Sequence, residues 1–144
     1  LLAEHPDQRR EIVANPSLIP MAIEEVLRYE APSPVQARYV ARDFECYGTT
    51  VPEGSIMLLL NGSANRDERR YPDGERFDIH RGDTHLSFGH GLHFCLGSAL
   101  ARMQARVALE EVIKRWPEWE VDYANASKAH TSSGRGWAKL PVFT

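Results

Sequence analysis

The chain has 144 residues, of which 42% are hydrophobic and 26% are charged, and its formal net charge is −3. These ordinary globular values exclude a disordered tail, a collagen-like repeat and a disulfide scaffold, and the slight negative charge argues against a general nucleic-acid binder. The longest aliphatic run, residues 56–60, is too short to cross a bilayer. With only two cysteines, the chain is expected to be one cytoplasmic globular unit with no membrane or nucleic-acid partner.

Two helices are predicted at the start of the chain. The first covers residues 6–14, because Pro6 suits the first turn of a helix. The second covers about residues 18–30, where apolar residues recur at helical spacing. Pro32 and a second proline two residues later end this helix, since proline removes a backbone donor.

The central and last parts of the chain alternate between strand and helix patterns. Short strands are predicted over residues 39–41, 44–47 and 56–60, which together indicate one small antiparallel sheet. Residues 61–87 show little periodicity and are expected to be coil. A long helix is predicted over residues 98–116, and the tail, residues 120–144, is strand-like at both ends with a turn at residues 132–136. The predicted fold class is therefore mainly α with small antiparallel sheets (α+β).

Cys95 is the residue best placed for chemistry. It stands just before the long helix, whose positive end stabilises a thiolate. Three glycines that permit tight turns and close approach of a ligand surround it: Gly89, Gly91 and Gly97. The backbone N–H groups of such a loop can tune a thiolate that binds a metal. An inert buried cysteine remains the alternative for a residue of this type.

Two histidines near Cys95 leave further alternatives open. His90, His93 and Cys95 form a His-x-x-His-x-Cys cluster, which could be part of a zinc site. A nucleophilic cysteine with a histidine base is another interpretation. The spacing matches no common zinc pattern, and no local signature supports the nucleophile.

Glu25 and Arg28 are three residues apart on the second predicted helix, so they share a face and can pair. A solvated pair would contribute little to stability, whereas a buried pair would require further partners. The coil offers several arginines that could complete such a network: Arg66, Arg69, Arg70, Arg76 and Arg81.

These features together resemble the cytochrome P450 family. Residues 88–97 match all six usual positions of its haem-thiolate signature, Phe-Gly-x-Gly-x-(His/Arg)-x-Cys-x-Gly. Glu25-Val-Leu-Arg28 resembles the family's Glu-x-x-Arg helix. The coil sequences at residues 64–67 and 77–81 are similar to those of soluble bacterial members. The resemblance runs over the whole chain.

The resemblance implies haem b (iron protoporphyrin IX) as cofactor and Cys95 as the catalytic axial ligand of its iron. A thiolate ligand pushes electron density onto iron and favours O–O cleavage. His93 and Arg38 would bond haem propionates, and Phe88 would pack near the ligand. The implied cofactor-binding residues are Arg38, Phe88, Gly89, Gly91, His93, Cys95 and Gly97.

The resemblance also implies roles outside the cysteine loop. Arg76 would complete the Glu25–Arg28 network, with Arg81 as its competitor. Arg102 would lie on the surface where an acidic electron donor, a ferredoxin or a flavodoxin, docks. The implied substrate-pocket residues are Pro34, Val35, Ser132 and Ser133.

Family members are considerably longer than this chain, so residues 1–144 are expected to be the carboxy-terminal part of one haem-thiolate domain. The implied activity is that of a monooxygenase, which inserts one oxygen atom from O2 into a small organic substrate with electrons from a redox partner. A peroxygenase or isomerase, and a non-catalytic metal- or haem-binding fragment, are the alternatives.

Overall fold

The helices lie close to their predicted positions. The computed structural model describes residues 1–131 and 133–144. Its helices are α1 (Pro6–Ala14), α2 (Ile19–Tyr29), α3 (Asn61–Ala64) and α4 (Ser98–Arg115), with 3-10 turns at Pro16–Leu18, Gly91–His93 and Tyr123–Asn125. Its strands are β1 (Gln36–Tyr39), β2 (Phe44–Cys46), β3 (Thr49–Val51), β4 (Ile56–Leu59), β5 (Glu120–Val121), β6 (Ser127–Lys128), β7 (Trp137–Lys139) and β8 (Val142–Phe143). The predicted fold class, helices with small antiparallel sheets, is confirmed.

The prediction of one sheet over residues 39–60 is wrong in detail. The strands form two separate antiparallel ribbons, β1 with β4 and β2 with β3. Tyr47 and Gly48 both have positive φ, 49° and 77°, the conformation that closes a tight two-residue hairpin. This turn pairs β2 with β3, and β1 then pairs with β4 so that Arg38 lies opposite Met57.

The tail agrees with its predicted strand-like ends and contains more structure between them. β5 pairs with β8, and β6 pairs with β7 inside that outer ribbon. At the tip, Thr131 Oγ1 accepts a hydrogen bond from Gly134 N (2.9 Å) and donates one to the Gly134 carbonyl (2.6 Å). The Arg135 N–H donates to the Pro32 carbonyl (2.8 Å). The tip of the tail therefore lies against the segment that follows α2.

The core lies where α1, α2, the coil and α4 meet. Its buried members are all apolar: Ile12, Ile19, Ala22, Ile23, Phe77, Ile79 and Ile113. The other side of α4 carries a stripe of large apolar residues that is more than half exposed in this chain: Leu100, Met103 and Val107. In the part of the chain that the structure describes, no helix is both long enough and apolar enough to span a membrane.

Candidate cofactor site

The loop of residues 88–97, hereafter the Cys loop, folds back on itself before α4. The Cys95 N–H donates to the Phe88 carbonyl (2.8 Å), which closes the loop at its two ends. Gly89 and Gly91 have φ values of 74° and 68°, a region that side chains other than glycine rarely adopt. Two of the predicted glycine positions are thus required by the backbone conformation, and Cys95 is held three residues before α4.

Cys95 is exposed, and so are the apolar side chains next to it. Leu92 and Leu96 are fully exposed and Phe94 is half exposed, while both cysteines of the chain are free thiols. An exposed sulfur between exposed apolar side chains suits a flat apolar group that is ligated through sulfur and covers them. Among the described residues, no group of three or more histidine, cysteine or acidic side chains could hold a metal ion, so the His-x-x-His-x-Cys cluster does not converge into a zinc site.

A cavity of about 300 Å³ lies between the β1–β4 ribbon and the Cys loop, and Arg38, Asn61, Gly89 and His90 contribute to its lining. The half-buried Arg38 makes its side-chain hydrogen bond to the neighbouring Ala37 carbonyl (2.9 Å), which leaves guanidinium donors for a ligand. The buried Asn61 Nδ2 has no hydrogen-bond partner among the described residues. Donors of this kind suit a carboxylate, so the residues present fit a haem with propionate groups.

The Glu25–Arg28 pair is completely buried, so it needs the further hydrogen-bond partners expected for a buried pair. Arg28 Nε and Nη2 donate to the two carboxylate oxygens of Glu25 at 2.6 and 2.8 Å. The remaining donors of Arg28 reach three coil carbonyls: those of Asn65 (2.7 Å), Gly74 (2.9 Å) and Arg76 (3.1 Å). All five N–H donors of this guanidinium therefore have acceptors.

The Arg76 side chain does not join the Glu25–Arg28 network, so the choice of Arg76 as the third arginine is wrong. The Arg76 guanidinium is 69% exposed and lies 3.6 Å from Asp78, because the Arg76 carbonyl points inward to Arg28. Arg81 is 10% exposed, and its Nε lies 3.5 Å from Glu25 Oε1. Its other nitrogens donate to the carbonyls of Pro72 (2.8 Å), Asp73 (3.1 Å) and Arg76 (3.2 Å). Of the two arginines considered, Arg81 is therefore the one whose guanidinium lies beside Glu25.

Asn65 is a supporting residue that sequence reasoning missed. Its fully buried side chain donates to Ser87 Oγ (2.8 Å) and accepts from the Leu86 N–H (2.7 Å). Ser87 Oγ donates in turn to the Leu27 carbonyl (2.5 Å). These bonds fasten the residues before the Cys loop to α2. A single asparagine in an aperiodic coil gives no signal of this role.

Arg102 lies beside the Cys loop and is paired rather than free. It donates two hydrogen bonds to the carboxylate of Glu24 on α2, and this hydrogen bonding lowers the pKa of Glu24. Burial lowers the pKa of the neighbouring His85. The assignment of Arg102 to a partner-binding surface stays a prediction.

The assignment of four residues to a substrate pocket stays a prediction. Pro34 and Val35 are half-buried after α2, and the Pro34 carbonyl accepts from the Gly62 N–H (2.9 Å). Ser133 is exposed near the tip of the tail, close to the contact of that tip with Pro32. Ser132 lies outside the described residues.

The chain is similar to known proteins along nearly its whole length. The family model for cytochrome P450 matches residues 8–135. Cytochrome P450 130 of Mycobacterium tuberculosis is 50% identical over 144 residues, 99% of this chain and 35% of that protein. The 6-deoxyerythronolide B hydroxylase of Saccharopolyspora erythraea is 46% identical over 119 residues, 81% of this chain and 29% of that protein.

A solved structure agrees with the sequence comparisons. The cytochrome P450 enzyme CYP109B1 from Bacillus subtilis superposes with a TM-score of 0.93 at 38% identity, over 99% of this chain and 39% of that one. This chain spans about a third of the length of the curated relatives it matches.

Proposed function

The chain belongs to the cytochrome P450 family, and from that premise we propose that it binds haem b through the Cys95 thiolate as part of a monooxygenase. The observation that carries the proposal is the exposed Cys95, held in a glycine-containing loop between exposed apolar side chains. When bound, haem supplies the activation of O2, and the protein supplies the ligand, the orientation and the electrostatics.

Each residue near the loop has a definite task in this proposal. Cys95 is the thiolate ligand, and the start of α4 and the surrounding backbone N–H groups stabilise its negative charge. Leu92, Phe94 and Leu96 cover apolar surface of the haem and exclude water from the sulfur. Arg38, on the wall of the cavity beside the loop, and His93, on the exposed 3-10 turn, hold the propionates by charge-assisted hydrogen bonds.

The activity proposed for the whole protein is insertion of one oxygen atom from O2 into a small organic substrate. Pro34, Val35 and Ser133 form one side of the substrate pocket, where few polar groups orient a mostly apolar ligand. Electrons come from a ferredoxin or flavodoxin in the cytoplasm, which docks on the side of the protein that carries Arg102. The hydroxylase among the similar proteins supports this class of reaction.

The ligand assignment is tested by an absorption spectrum of the haem-loaded protein, reduced and exposed to carbon monoxide. We expect a strongly red-shifted Soret band, because thiolate ligation alters the electronic structure of the iron. Cys95→Ala should abolish this band, and Cys46→Ala, which removes the other free thiol, should keep it. A red-shifted band that survives Cys95→Ala would contradict the assignment, as would bound zinc in place of haem.

A further inference from the structure

A second ion pair, distinct from the Glu25–Arg28 network, joins two helices to the Cys loop. Arg102 Nε and Nη2 on α4 donate to the two carboxylate oxygens of Glu24 on α2 at 2.7 and 2.8 Å. The central carbon of the Arg102 guanidinium lies 4.6 Å from the centroid of the Phe88 ring. A two-pronged hydrogen bond fixes the plane of the guanidinium, and the cation attracts the face of the ring. The pair therefore fixes Phe88, the first residue of the Cys loop.

Phe88 connects this ion pair to the proposed ligand. Its carbonyl accepts the Cys95 N–H (2.8 Å), and its ring centroid is 6.3 Å from that of Phe94, the residue before Cys95. A shift of Phe88 would thus move both the hydrogen bond that closes the loop and the side chain of the residue before Cys95.

The charges around Phe88 are balanced. The His85 ring lies 5.7 Å from the Phe88 ring, and its side chain is 1% exposed, with Nε2 3.2 Å from Glu24 Oε2. Because burial lowers the pKa of His85, its neutral form is favoured. Arg102 and Glu24 then contribute one positive and one negative charge next to the loop.

We propose that Glu24 and Arg102 are a positioning pair for the thiolate ligand: the pair holds Phe88 in place and keeps the Arg102 charge neutralised next to the Cys loop. The inference rests on the proposed function, since it concerns haem bound through that sulfur. Reduction of the bound iron by one electron adds a negative charge to the site. An unpaired cation next to the loop therefore favours reduction, and an unpaired anion opposes it.

The test is the midpoint potential of the haem-loaded protein at its full natural length, titrated with dithionite. Glu24→Gln should raise the potential because it leaves the Arg102 charge uncompensated, and Arg102→Gln should lower it because it leaves the Glu24 carboxylate facing only the neutral His85 ring. The double variant should return towards the wild-type value. The matched controls are Arg106→Gln and Glu110→Gln, which break an exposed pair at 2.7 Å farther along α4 and should leave the potential unchanged.

The outcomes separate this inference from the proposed function. A wild-type protein without the thiolate Soret band would overturn the proposed function itself. A wild-type protein with that band, whose two single variants shift in the same direction or no more than the controls, would overturn the pair alone. If either glutamine variant fails to retain haem, Glu24→Asp and Arg102→Lys decide, because they keep both charges. A near-normal potential in both would support the charge pairing, and loss of the Soret band in both would support the positioning role, because lysine and aspartate do not keep the two-pronged geometry. A normal Soret band with a potential shifted in the same direction in both would overturn the pair.

Discussion

The proposed site has two parts that differ in burial: the Glu25–Arg28 network, here called the base, and the exposed Cys loop, here called the tip. At the base, the Glu25–Arg28 pair is completely buried and every donor of Arg28 has an acceptor in the chain. At the tip, Cys95 and its apolar neighbours Leu92 and Leu96 are exposed. Arg28 at the base has acceptors for all its donors within the chain, whereas the tip has exposed apolar surface. Stability should therefore depend on the base, and ligand binding on the tip.

The largest loss of stability is expected for Arg28→Met, which removes the central cation of the base. The variant leaves the Glu25 carboxylate buried without its main cation and removes the donor from three coil carbonyls. Removing one partner of a buried ion pair costs about 3–5 kcal/mol, so the free energy of unfolding in urea should fall by this amount.

The matched control for that change is Arg69→Met, which removes an exposed arginine that pairs only locally with Asp67. Its free energy of unfolding should equal that of the wild type within error. If Arg28→Met were as mild as Arg69→Met, the buried network would not be the source of stability at the base.

A smaller loss of stability is expected for Arg81→Met than for Arg28→Met, and comparison with Arg76→Met tests which arginine belongs to the base. Arg81→Met removes the second cation near Glu25 and the donor to the carbonyls of Pro72 and Asp73. Because these carbonyls are exposed, water can replace the lost donor, and each hydrogen bond contributes only about 0.5–1.5 kcal/mol. Arg76→Met removes only an exposed guanidinium and should leave urea unfolding nearly unchanged. The reverse ranking would restore Arg76 as the third member of the network.

The two arginines also show how far the sequence predicts this site. The Glu25–Arg28 pairing follows from helical spacing, and the resemblance around Cys95 rests on six positions within one loop. The third arginine depends on which way the coil turns at Arg76, where the carbonyl points inward, and no periodic pattern encodes that direction. The same limit applies to contacts between residues distant in the chain.

Those distant contacts are the part of the site that the sequence did not predict. Asn65 binds residues more than twenty positions later, and Glu24 pairs with Arg102 on another helix. The sheet differs from its prediction for a related reason. Two consecutive residues with positive φ, Tyr47 and Gly48, close an inner hairpin, and strand patterns alone do not decide which strands pair.

The smallest predicted effect is a pH dependence of stability that arises from the buried His85. Burial lowers the pKa of His85 below its ordinary value of 6.5, so the unfolded chain binds a proton more readily than the folded protein does. Stability rises with pH wherever the unfolded state binds more protons. The contribution of His85 is therefore complete above pH 6.5 and is lost as the pH falls through the lower pKa of the folded state.

Unfolding free energies between about pH 8 and pH 5 test this expectation. The wild-type protein should lose stability over that range, and His85→Gln should lose less, because glutamine does not titrate. The glutamate that faces His85 adds a separate loss in more acidic solution, since its own pKa is lowered from 4.5. Equal slopes in the wild type and His85→Gln would mean that the folded protein accommodates the protonated ring. A protonated His85 would then add a positive charge beside Glu24 at low pH. The net charge around Phe88 would in that case depend on pH and not on Arg102 and Glu24 alone.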